Sequence, residues 1–491
     1  MSWSSAVSHK RRSLVLALGA AIALSLTAYL VASLIRYRAG FPLDDAWIHQ
    51  TYARNLVMYG TWAFSPGISS AGSTAPLWTI LLTPAHLLHL SPLVWVVVLA
   101  GGQLTLLAWL GIRWLRKRQI RASGFWVLFL LTEWHLLWAA LSGMETLLFG
   151  IAALLMFVLL EEERLHPLWL GICVGVTVWI RPDAVTLFLP IGWSMLWSQQ
   201  QTWKQKAVDI LYIGVGFLAL FLPYLAFNRS LSGEWWPSTF YAKQAEYAIL
   251  RQQPLLRRLV DQFLLPLVGV GAVLLPGLLL TTVETIRLRH WRNLAGLLWV
   301  AAYLALYALR LPVLYQHGRY AMPVLPVFLL LGIEGMLTWI KPDDAQFWPR
   351  LLSRTWVVSA VAVQMVFLCI GAGAYSRDVA IIESEMVDTA VWIDSHLPDD
   401  ALLAVHDIGA VGYYTEQPLL DLAGLVSPEV IPILRNEAAL AAHLDEAGAA
   451  FLMTFPGWYP ELVSRAEVIY TSEGNVSPQA GGENMSVYRW P

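Results

Sequence analysis

Charged residues are scarce in this chain: they make up 13% of its 491 residues, against 57% hydrophobic residues. Soluble domains carry about 25% charged residues. Cysteine is scarcer still, because the two cysteines, Cys173 and Cys369, lie in separate apolar runs and form no close motif. Their placement argues against a disulfide and against a cysteine-based metal site. The composition therefore predicts a polytopic α-helical membrane protein.

Lysine is absent from the last part of the chain. Residues 376–491 hold 18 acidic residues and four arginines, whereas the remainder holds 28 basic and 16 acidic residues. So acidic a region does not attract nucleic acid, and we expect no nucleic-acid partner. Helical periodicity over 380–397 and short strand-like runs predict a separate soluble α/β domain here. The strand-like runs are 402–405, 449–453, 467–470 and 486–490.

Long apolar runs dominate the rest of the chain. A membrane span needs about 20 mostly apolar residues, and eleven runs are candidates. They lie near residues 13–35, 92–113, 124–141, 145–160, 167–181, 184–198, 207–228, 262–285, 293–310, 320–339 and 355–375. The first run follows the basic segment His9–Arg12 and exceeds the 7–15 apolar residues of a signal peptide, so we expect a retained span.

The distribution of Lys and Arg orients these spans, because basic residues collect in cytoplasmic loops. A cytoplasmic N-terminus gives the inner loops Arg113–Arg121, Glu161–His166, Gln199–Lys206, Arg287–Arg292 and Lys341–Arg354. Four of the five are rich in Lys and Arg, and the exception is the acidic turn at Glu161. We interpret the Pro-interrupted segment 76–89 as a helix at the outer interface.

This topology predicts a protein of the plasma (inner) membrane with two parts. Residues 1–375 form a transmembrane domain with about eleven helices and a long first outer loop, 36–91. Residues 376–491 form the C-terminal α/β domain on the extracytoplasmic side.

Two adjacent aspartates, Asp44 and Asp45, follow the first span within the stretch FPLDDAWIHQTYARN. We expect a helix from this pair to Tyr59, ended by Gly60. Acidic residues at a helix N-terminus are stabilised by about 0.3–1 kcal/mol, so one interpretation is that Asp44 only caps the helix. The other is catalytic, because burial at the membrane boundary raises a carboxyl pKa into the range of a general base.

His49 lies one turn after Asp45, on the same face of the helix. Asp44, Asp45 and His49 could orient an acceptor or hold a hard cation, although a carboxylate pair with one histidine is a common coincidence. We therefore assign no metal site. The following loop, GISSAGSTAPLW, either brings backbone close to a ligand or simply joins two helices.

Charged residues also occur at the outer ends of two later spans. Glu145 follows SGM, and Arg181 and Asp183 flank the proline of a short outer turn. Charges at membrane depth are expensive and indicate functional sites by default. The alternative is a structural Arg181–Asp183 pair that closes the turn. On the functional interpretation, Glu145 and Asp183 contact the substrate.

The outer loop EWWPSTFYAKQAEY combines aromatic residues with Lys243 near its centre. Its rings, including Tyr241, could form an interfacial aromatic belt. Alternatively, Lys243 meets an anionic headgroup and Tyr241 contacts the substrate.

The outer loop QHGRYAMPVLP brings His317, Arg319 and Tyr320 to a span end. Arginine is suited to bidentate contact with phosphate. Arg181, Lys243 and Arg319 all run against the positive-inside rule. Together they predict an anionic partner on the outer face.

The segment AVHDIGAVGYYTEQPLLDLAGLVSPE, residues 404–429, is the most regular part of the C-terminal region. His406 and Asp407 follow a strand, and two glycines then suggest a turn. The segment could be an acceptor-side site, but a strand–turn–strand edge is the interpretation that the pattern favours.

Several of these motifs, taken in order, resemble a known family. They are LDDAWIHQTYARN with GSTAPLW, then SGMET, RPD, PSTFYAK, GRYAMPVLP and VHDIGAVGYYTEQPLLDLAGL. The series is similar to bacterial membrane glycosyltransferases of the C superfamily (GT-C). It is most similar to the mycobacterial arabinofuranosyltransferases and related envelope glycosyltransferases that use polyprenyl-phosphate-linked sugars.

The resemblance implies transfer of a sugar from a polyprenyl-phosphate-linked donor to a glycan, lipid or protein acceptor outside the cytoplasm. It implies that Asp44 is the catalytic base and that Asp45 assists it or helps to hold a cation. Arg181, Lys243, His317 and Arg319 would then bind the donor phosphate, and the remaining candidates would contact substrate. Those candidates are His49, Glu145, Asp183, Tyr241 and Tyr320. Ser238 departs from the family pattern, where asparagine is expected.

Two other classes of function fit parts of the same pattern. A transporter or flippase of lipid-linked sugars would explain the spans and the outer charges, but it needs no outer carboxylate pair, and transporters often show internal repeats. A non-enzymatic envelope assembly protein is the second alternative. An enzyme with another lipid donor is also compatible with the sequence.

Overall fold

The computed structural model describes residues 3–162, 165–199, 201–340 and 346–491, and it is mainly helical. Parts of three predicted inner loops, at 163–164, 200 and 341–345, lie outside the described residues. Within the described ranges, seven helices are long and apolar enough to cross a membrane. They are Arg12–Arg36, Pro92–Lys117, Trp203–Ser232, Val270–Arg287, Trp291–Arg310, Tyr315–Trp339 and Phe347–His396. The chain is therefore a multi-pass membrane protein.

The other predicted spans are shorter or broken. Ser123–Leu131 and Trp134–Leu141 form a pair bent by 58°, which would add an eighth span if it crosses as one. Thr146–Glu162, Pro167–Ile180 and Phe188–Leu196 are short apolar helices. A 17-residue helix such as Thr146–Glu162 rises about 26 Å, less than the roughly 30 Å of a bilayer core. The count of eleven spans stays a prediction.

One predicted boundary was wrong. The span expected at 262–285 begins later, at Val270, and a separate helix runs from Leu255 to Leu264. Gly269 separates the two helices with a φ of +113°. Residues other than glycine rarely adopt that backbone conformation, so the helical run breaks at Gly269.

Glycines let Pro167–Ile180 pack closely against Trp203–Ser232. A Cβ added at Gly171 would lie 2.0 Å from the carbonyl oxygen of Ile213, and one at Gly216 would lie 2.2 Å from that of Leu168. Small residues allow such backbone contact between helices in membranes. This pair helps to place the short turn that follows Ile180.

The first outer loop folds as a helix, a hairpin and a second helix. The first helix is Asp45–Tyr59 and ends at Gly60, whose φ is +66°, as predicted. Strands β1 (Ala63–Ser65) and β2 (Ile68–Ser69) pair antiparallel. The second helix, Pro76–Leu87, contains Pro84 and leaves Ile80, Leu87 and Leu88 exposed. Its position at the membrane interface stays a prediction.

The helix Ser238–Glu246 is bonded to this loop. The Ser238 amide donates to the carbonyl oxygen of Ala71 at 3.2 Å, and Thr239 Oγ1 donates to that of Gly72 at 2.7 Å. The small residues of the first outer loop therefore bring its backbone against a second loop, rather than merely joining two helices.

Shorter elements complete the described structure. The remaining α-helices are Tyr315–Gly318 and Leu325–Trp339 within the Tyr315–Trp339 span, then Gly409–Tyr414, Glu437–Ala447, Pro460–Val463 and Val476–Gln479. The 3₁₀ turns are Pro182–Leu187, Ala248–Gln252, Leu265–Leu267, Trp291–Leu294, Met322–Val324, Pro428–Ile433 and Pro456–Trp458.

The last span continues directly into the C-terminal region. The helix Phe347–Ile381 passes through a π-helical turn, Ile382–Val387, into the helix Asp388–His396. A five-stranded sheet follows with the strand order β4-β3-β5-β7-β6. Its strands are β3 (Leu403–Val405), β4 (Leu419–Asp421), β5 (Phe451–Thr454), β6 (Glu467–Thr471) and β7 (Ser486–Arg489). This arrangement confirms the predicted α/β character.

The favoured interpretation of residues 404–429 as a strand–turn–strand edge was wrong. A helix, Gly409–Tyr414, connects β3 to β4, and the two strands are parallel. β5 pairs parallel with β3 on its other side, while β7 pairs antiparallel with β5 and β6. Parallel strands need a crossover connection, and the two glycines lie in that crossover.

The C-terminal sheet and the membrane helices share one hydrophobic core. Leu403, Val405 and Met453 of the sheet belong to the same buried cluster as Tyr375 of the last span. Buried Glu385 adds polar contacts, because it accepts a hydrogen bond from the Met485 amide at 2.9 Å and another from Ser472. The sheet is therefore fixed against the membrane part rather than tethered by a linker.

Candidate active site

Two cavities meet at the outer-loop residues that the sequence singles out. The first, of about 320 Å³, is called here the aromatic cavity. Its lining includes Glu145, Arg181, Asp183, Trp236, Phe240, Tyr307 and Tyr320. The second, of about 370 Å³, is called the carboxylate cavity. Its lining includes Asp44, Asp45, Glu246, Tyr315, His406, Asp407 and Trp458. Lys243 and Arg319 line both cavities.

Asp45 holds the two shared cations in place. Its Oδ2 accepts hydrogen bonds from Lys243 Nζ at 3.2 Å and from Arg319 Nη2. Burial raises the pKa of Asp45, but the charges of Lys243 and Arg319 outweigh burial and hold the pKa well below its usual range. Asp45 is therefore a fixed negative charge and a poor base. Tyr320 completes the cluster by accepting from Lys243 Nζ and Arg319 Nη2, each at 3.1 Å.

Asp44 does not cap the helix that follows it. Its side chain makes no hydrogen bond within that helix. Instead, Oδ2 accepts from the Gly409 amide and Oδ1 from the Ala410 amide, both at 2.7 Å. Burial and the nearby charge of Asp407 raise the pKa of Asp44 to about 8, against the lowering effect of the two amides. The capping interpretation was thus wrong, because the carboxylate binds the first two amides of the distant helix Gly409–Tyr414.

Asp407 belongs to the same loop and faces the same cavity. Its Oδ2 is buried and has no hydrogen-bond partner within the part of the chain that the structure describes. Burial raises the pKa of Asp407 to about 6, His406 opposes the rise, and Asp45 adds to it. Buried carboxylates close together cannot all ionise freely, so Asp44 and Asp407 titrate as a coupled pair.

Arg181 forms a buried network with acidic and phenolic groups. Its Nη1 donates to Glu145 Oε1 at 3.0 Å and its Nη2 to Asp183 Oδ2 at 2.8 Å. Tyr307 Oη donates to Asp183 Oδ2 at 2.5 Å and accepts from Arg181 Nη2 at 2.9 Å. The structural pairing of Arg181 with Asp183 is therefore present, and Arg181 also lines the aromatic cavity.

His49 joins the first outer loop to this network. Its Nε2 lies 3.7 Å from Glu145 Oε2, and its Nδ1 lies 3.1 Å from both Ser73 Oγ and Thr79 Oγ1. Burial lowers the pKa of His49. His49 lines neither cavity as described, so it supports Glu145 from behind the aromatic cavity.

Two predicted ligands lie away from both cavities. His317 Nε2 lies 2.7 Å from Asp378 Oδ2, and its ring packs edge-on against Trp134 and Trp138. Tyr241 packs against Phe240 on an outer face and lines neither cavity as described. His317 already has a carboxylate partner, and neither residue lines a cavity that the shared cations line.

The acidic pair is surrounded by hydrogen-bond donors rather than, among the described residues, by a cluster of metal-ligand side chains. Within the described ranges, no group of three or more His, Cys, Asp or Glu side chains is placed to hold a metal ion. Asp45 is bonded to Lys243 and Arg319, and both oxygens of Asp44 accept backbone amides.

Sequence reasoning missed several residues of the site. Tyr303 and Tyr307 lie inside an apolar run, where a tyrosine carries no signal that separates it from an aromatic belt. Glu246 and Trp458 lie in the carboxylate cavity without any motif. The sequence pattern around Asp407 favours a turn. Asp407 is recognised as a site residue only because the fold places it in the same cavity as Asp44.

The comparisons with known proteins match different shares of the chain. A domain of unknown function, DUF8728, matches residues 377–488. No curated protein matches the chain. Among solved structures, ArnT from Cupriavidus metallidurans bound to undecaprenyl phosphate is 14% identical, with a TM-score of 0.60 over 95% of this chain and 97% of that one. Its fold and this fold therefore agree along nearly the whole length of both proteins.

Two further structures are similar. The archaeal oligosaccharyltransferase AglB from Archaeoglobus fulgidus, in complex with an inhibitory peptide and a dolichol-phosphate, is 9% identical with a TM-score of 0.58 over 88% of this chain and 69% of that one. The chain has a GT-C fold. Arabinofuranosyltransferase AftD from Mycobacteria is 14% identical and covers 95% of this chain and 39% of that one, with a TM-score of 0.47. The similarity to ArnT and AglB confirms the GT-C resemblance of the motifs at the level of fold.

Proposed function

We propose that this protein is a glycosyltransferase that moves a sugar from a polyprenyl-phosphate-linked donor to an acceptor hydroxyl on the extracytoplasmic side. The observation that carries the proposal is the meeting of the two cavities at Lys243 and Arg319. One cavity is aromatic and apolar, and the other is lined with carboxylates. A donor phosphate bound between them places its sugar at the boundary of the two.

The aromatic cavity suits the lipid end of such a donor. Trp236, Phe240, Leu306 and Leu311 contribute apolar surface to its lining. ArnT and AglB were solved with a polyprenyl or dolichol phosphate bound, which supports the same class of lipid here. The N-terminus would then be cytoplasmic, and the C-terminal domain, residues 376–491, would be extracytoplasmic.

The shared cations suit the phosphate. Arg319 Nη1 is buried and has no hydrogen-bond partner among the described residues, so it is a donor available to an anion. Lys243 lies beside it, held by the same Asp45 oxygen. Fixed cations stabilise the charge that develops on the phosphate as it leaves. Arg181 extends this positive region within the aromatic cavity.

Asp44 and Asp45 have different roles in this proposal. Asp45 keeps Lys243 and Arg319 in position, and Asp44, with its raised pKa, acts as the base toward the acceptor hydroxyl. A single direct displacement at the anomeric carbon inverts its configuration. A product with retained configuration would contradict this scheme.

The test is genetic and chemical. The gene is deleted in the source cell and complemented with wild type, Asp44→Asn, or the exposed control Asp399→Asn, with membrane levels checked for each protein. The linkages of envelope glycans, glycolipids and glycoproteins are then compared. We expect one sugar linkage to be lost on deletion and restored by wild type and Asp399→Asn only. Full restoration by Asp44→Asn would favour a transporter or assembly protein instead.

A further inference from the structure

We propose that Asp407 is a catalytic carboxylate of the C-terminal region that takes the acceptor's proton together with Asp44. The inference rests on the proposed glycosyltransferase function and deepens it. It places a catalytic residue in the region that DUF8728 matches.

The first argument concerns free oxygen atoms. Both oxygens of Asp44 already accept backbone amides, from Gly409 and Ala410. Asp45 is engaged by Lys243 and Arg319. Asp407 lines the carboxylate cavity, and its buried Oδ2 has no hydrogen-bond partner in the described part of the chain. A buried polar atom without a partner is costly, so its retention calls for a ligand.

The second argument concerns the place of Asp407 in the sheet. It lies just past the carboxyl end of β3, whose parallel neighbours β4 and β5 lie on opposite sides. In open α/β sheets, ligands bind in the crevice outside the carboxyl ends of strands where the strand order reverses. The crevice here lies between the ends of β3 and β5. His406 Nδ1 lies 2.7 Å from Tyr459 Oη across it.

The third argument concerns a path for the acceptor. A further cavity of about 400 Å³ shares Glu246, His406 and Trp458 with the carboxylate cavity. Trp458 is 48% exposed, so its ring is free for a ligand to contact. An acceptor entering this way passes His406, the neighbour of Asp407 in the chain. The donor would then occupy the aromatic cavity on the other side of Lys243.

The step balances as follows. The acceptor oxygen bonds to the anomeric carbon and gives its one proton to the coupled pair of Asp407 and Asp44. The bond from that carbon to the phosphate oxygen breaks, and the electron pair leaves with the polyprenyl phosphate. Asp44 stays bonded to the two amides and, as the member of the pair with the higher pKa, shares the transferred proton.

The experiment uses membranes of the deletion strain, which contain both the donor and the unmodified acceptor. Full-length purified wild type, Asp407→Asn, Asp407→Glu or the exposed control Asp400→Asn is added. The initial rate of linkage formation is measured from pH 5 to 9. Binding of undecaprenyl phosphate, the probe for the donor side, is measured for each protein.

We expect Asp407→Asn to lose at least about 100-fold in rate, the lower range for general-base catalysis. Its affinity for undecaprenyl phosphate should match that of wild type. The pKa of Asp44 should fall, because Asp44 loses a neighbouring negative charge, so the residual rate should begin to rise at a lower pH. Asp407→Glu should be faster than Asp407→Asn. Asp400→Asn should match wild type.

Two results would overturn the inference while leaving the proposed function intact. The first is a wild-type rate and pH profile for Asp407→Asn. The second is equal inactivity of the Asn and Glu variants together with weakened lipid binding, which would show a structural role. If wild type itself forms no linkage, the proposed function fails and the inference fails with it.

Discussion

Asp44 Oδ2 accepts a hydrogen bond of 2.7 Å from the amide of Gly409, which lies 365 residues further along the chain. The contact joins the start of the first outer loop to the C-terminal sheet. It also leaves no room for a larger residue, since a Cβ added at Gly409 would lie 2.0 Å from the carbonyl oxygen of Asp44. The acidic pair and the C-terminal region therefore form one site.

Gly409→Ala should damage both stability and transfer. The added methyl group meets backbone, so the loop or the Asp44 segment must move, at a cost of about 1–3 kcal/mol for overpacking. We expect a lower melting temperature and loss of linkage restoration in the deletion strain. Gly214→Ala is the control, because a Cβ there meets nothing within 4 Å. Equal behaviour of the two variants would show that the contact is unimportant.

Lys243→Ala should weaken binding of undecaprenyl phosphate to the purified protein. A hydrogen bond to a charged group is worth about 1.5–3 kcal/mol, which corresponds to roughly a 10- to 150-fold rise in Kd. The exposed Lys204 provides the control variant, Lys204→Ala. An unchanged Kd of Lys243→Ala for undecaprenyl phosphate would contradict a phosphate site at the shared cations.

The rate of transfer should rise with pH. A base must be deprotonated to accept a proton, and burial raises the pKa of Asp44 to about 8 and that of Asp407 to about 6. Below these values the pair carries an extra proton and the rate falls. We therefore expect the acidic limb of the initial-rate profile to lie between about pH 6 and 8. A rate that is constant down to pH 5 would rule out this pair as the base.

Trp458→Ala should slow transfer because it weakens binding of the acceptor. Trp458 borders the carboxylate cavity and the adjoining cavity but not the aromatic cavity. Undecaprenyl phosphate binding should thus be unchanged, while the rate falls most when acceptor is diluted. Trp348→Ala, which alters an exposed tryptophan on the last span, is the control. A loss of lipid affinity in Trp458→Ala would contradict the separation of donor and acceptor sides.

The sequence predicts those features that are local. Apolar runs place the helices, and Gly60 ends the helix that begins at Asp45. Short strand-like runs predict every C-terminal strand except β4. The order of motifs predicts the GT-C fold. The interfaces between distant segments are not local, which is why the pairing of Asp44 with the Gly409 amide had no sequence signal.

The misjudged residues have specific causes. The helix Gly409–Tyr414 has six residues and two glycines, so it looks like a turn. His317 looks like an anion ligand until Asp378 is brought beside it by the last span. Tyr307 looks like an aromatic belt residue until the fold places it against Arg181 and Asp183.

The most direct measurement counts both products of the reaction. Purified full-length wild type or Asp44→Asn is added to membranes of the deletion strain, and new sugar linkages and free polyprenyl phosphate are quantified together. The account predicts one polyprenyl phosphate released for each linkage formed by wild type, and a rate at least about 100-fold lower for Asp44→Asn. Linkages formed without release of the lipid phosphate, or at the wild-type rate by Asp44→Asn, would contradict it.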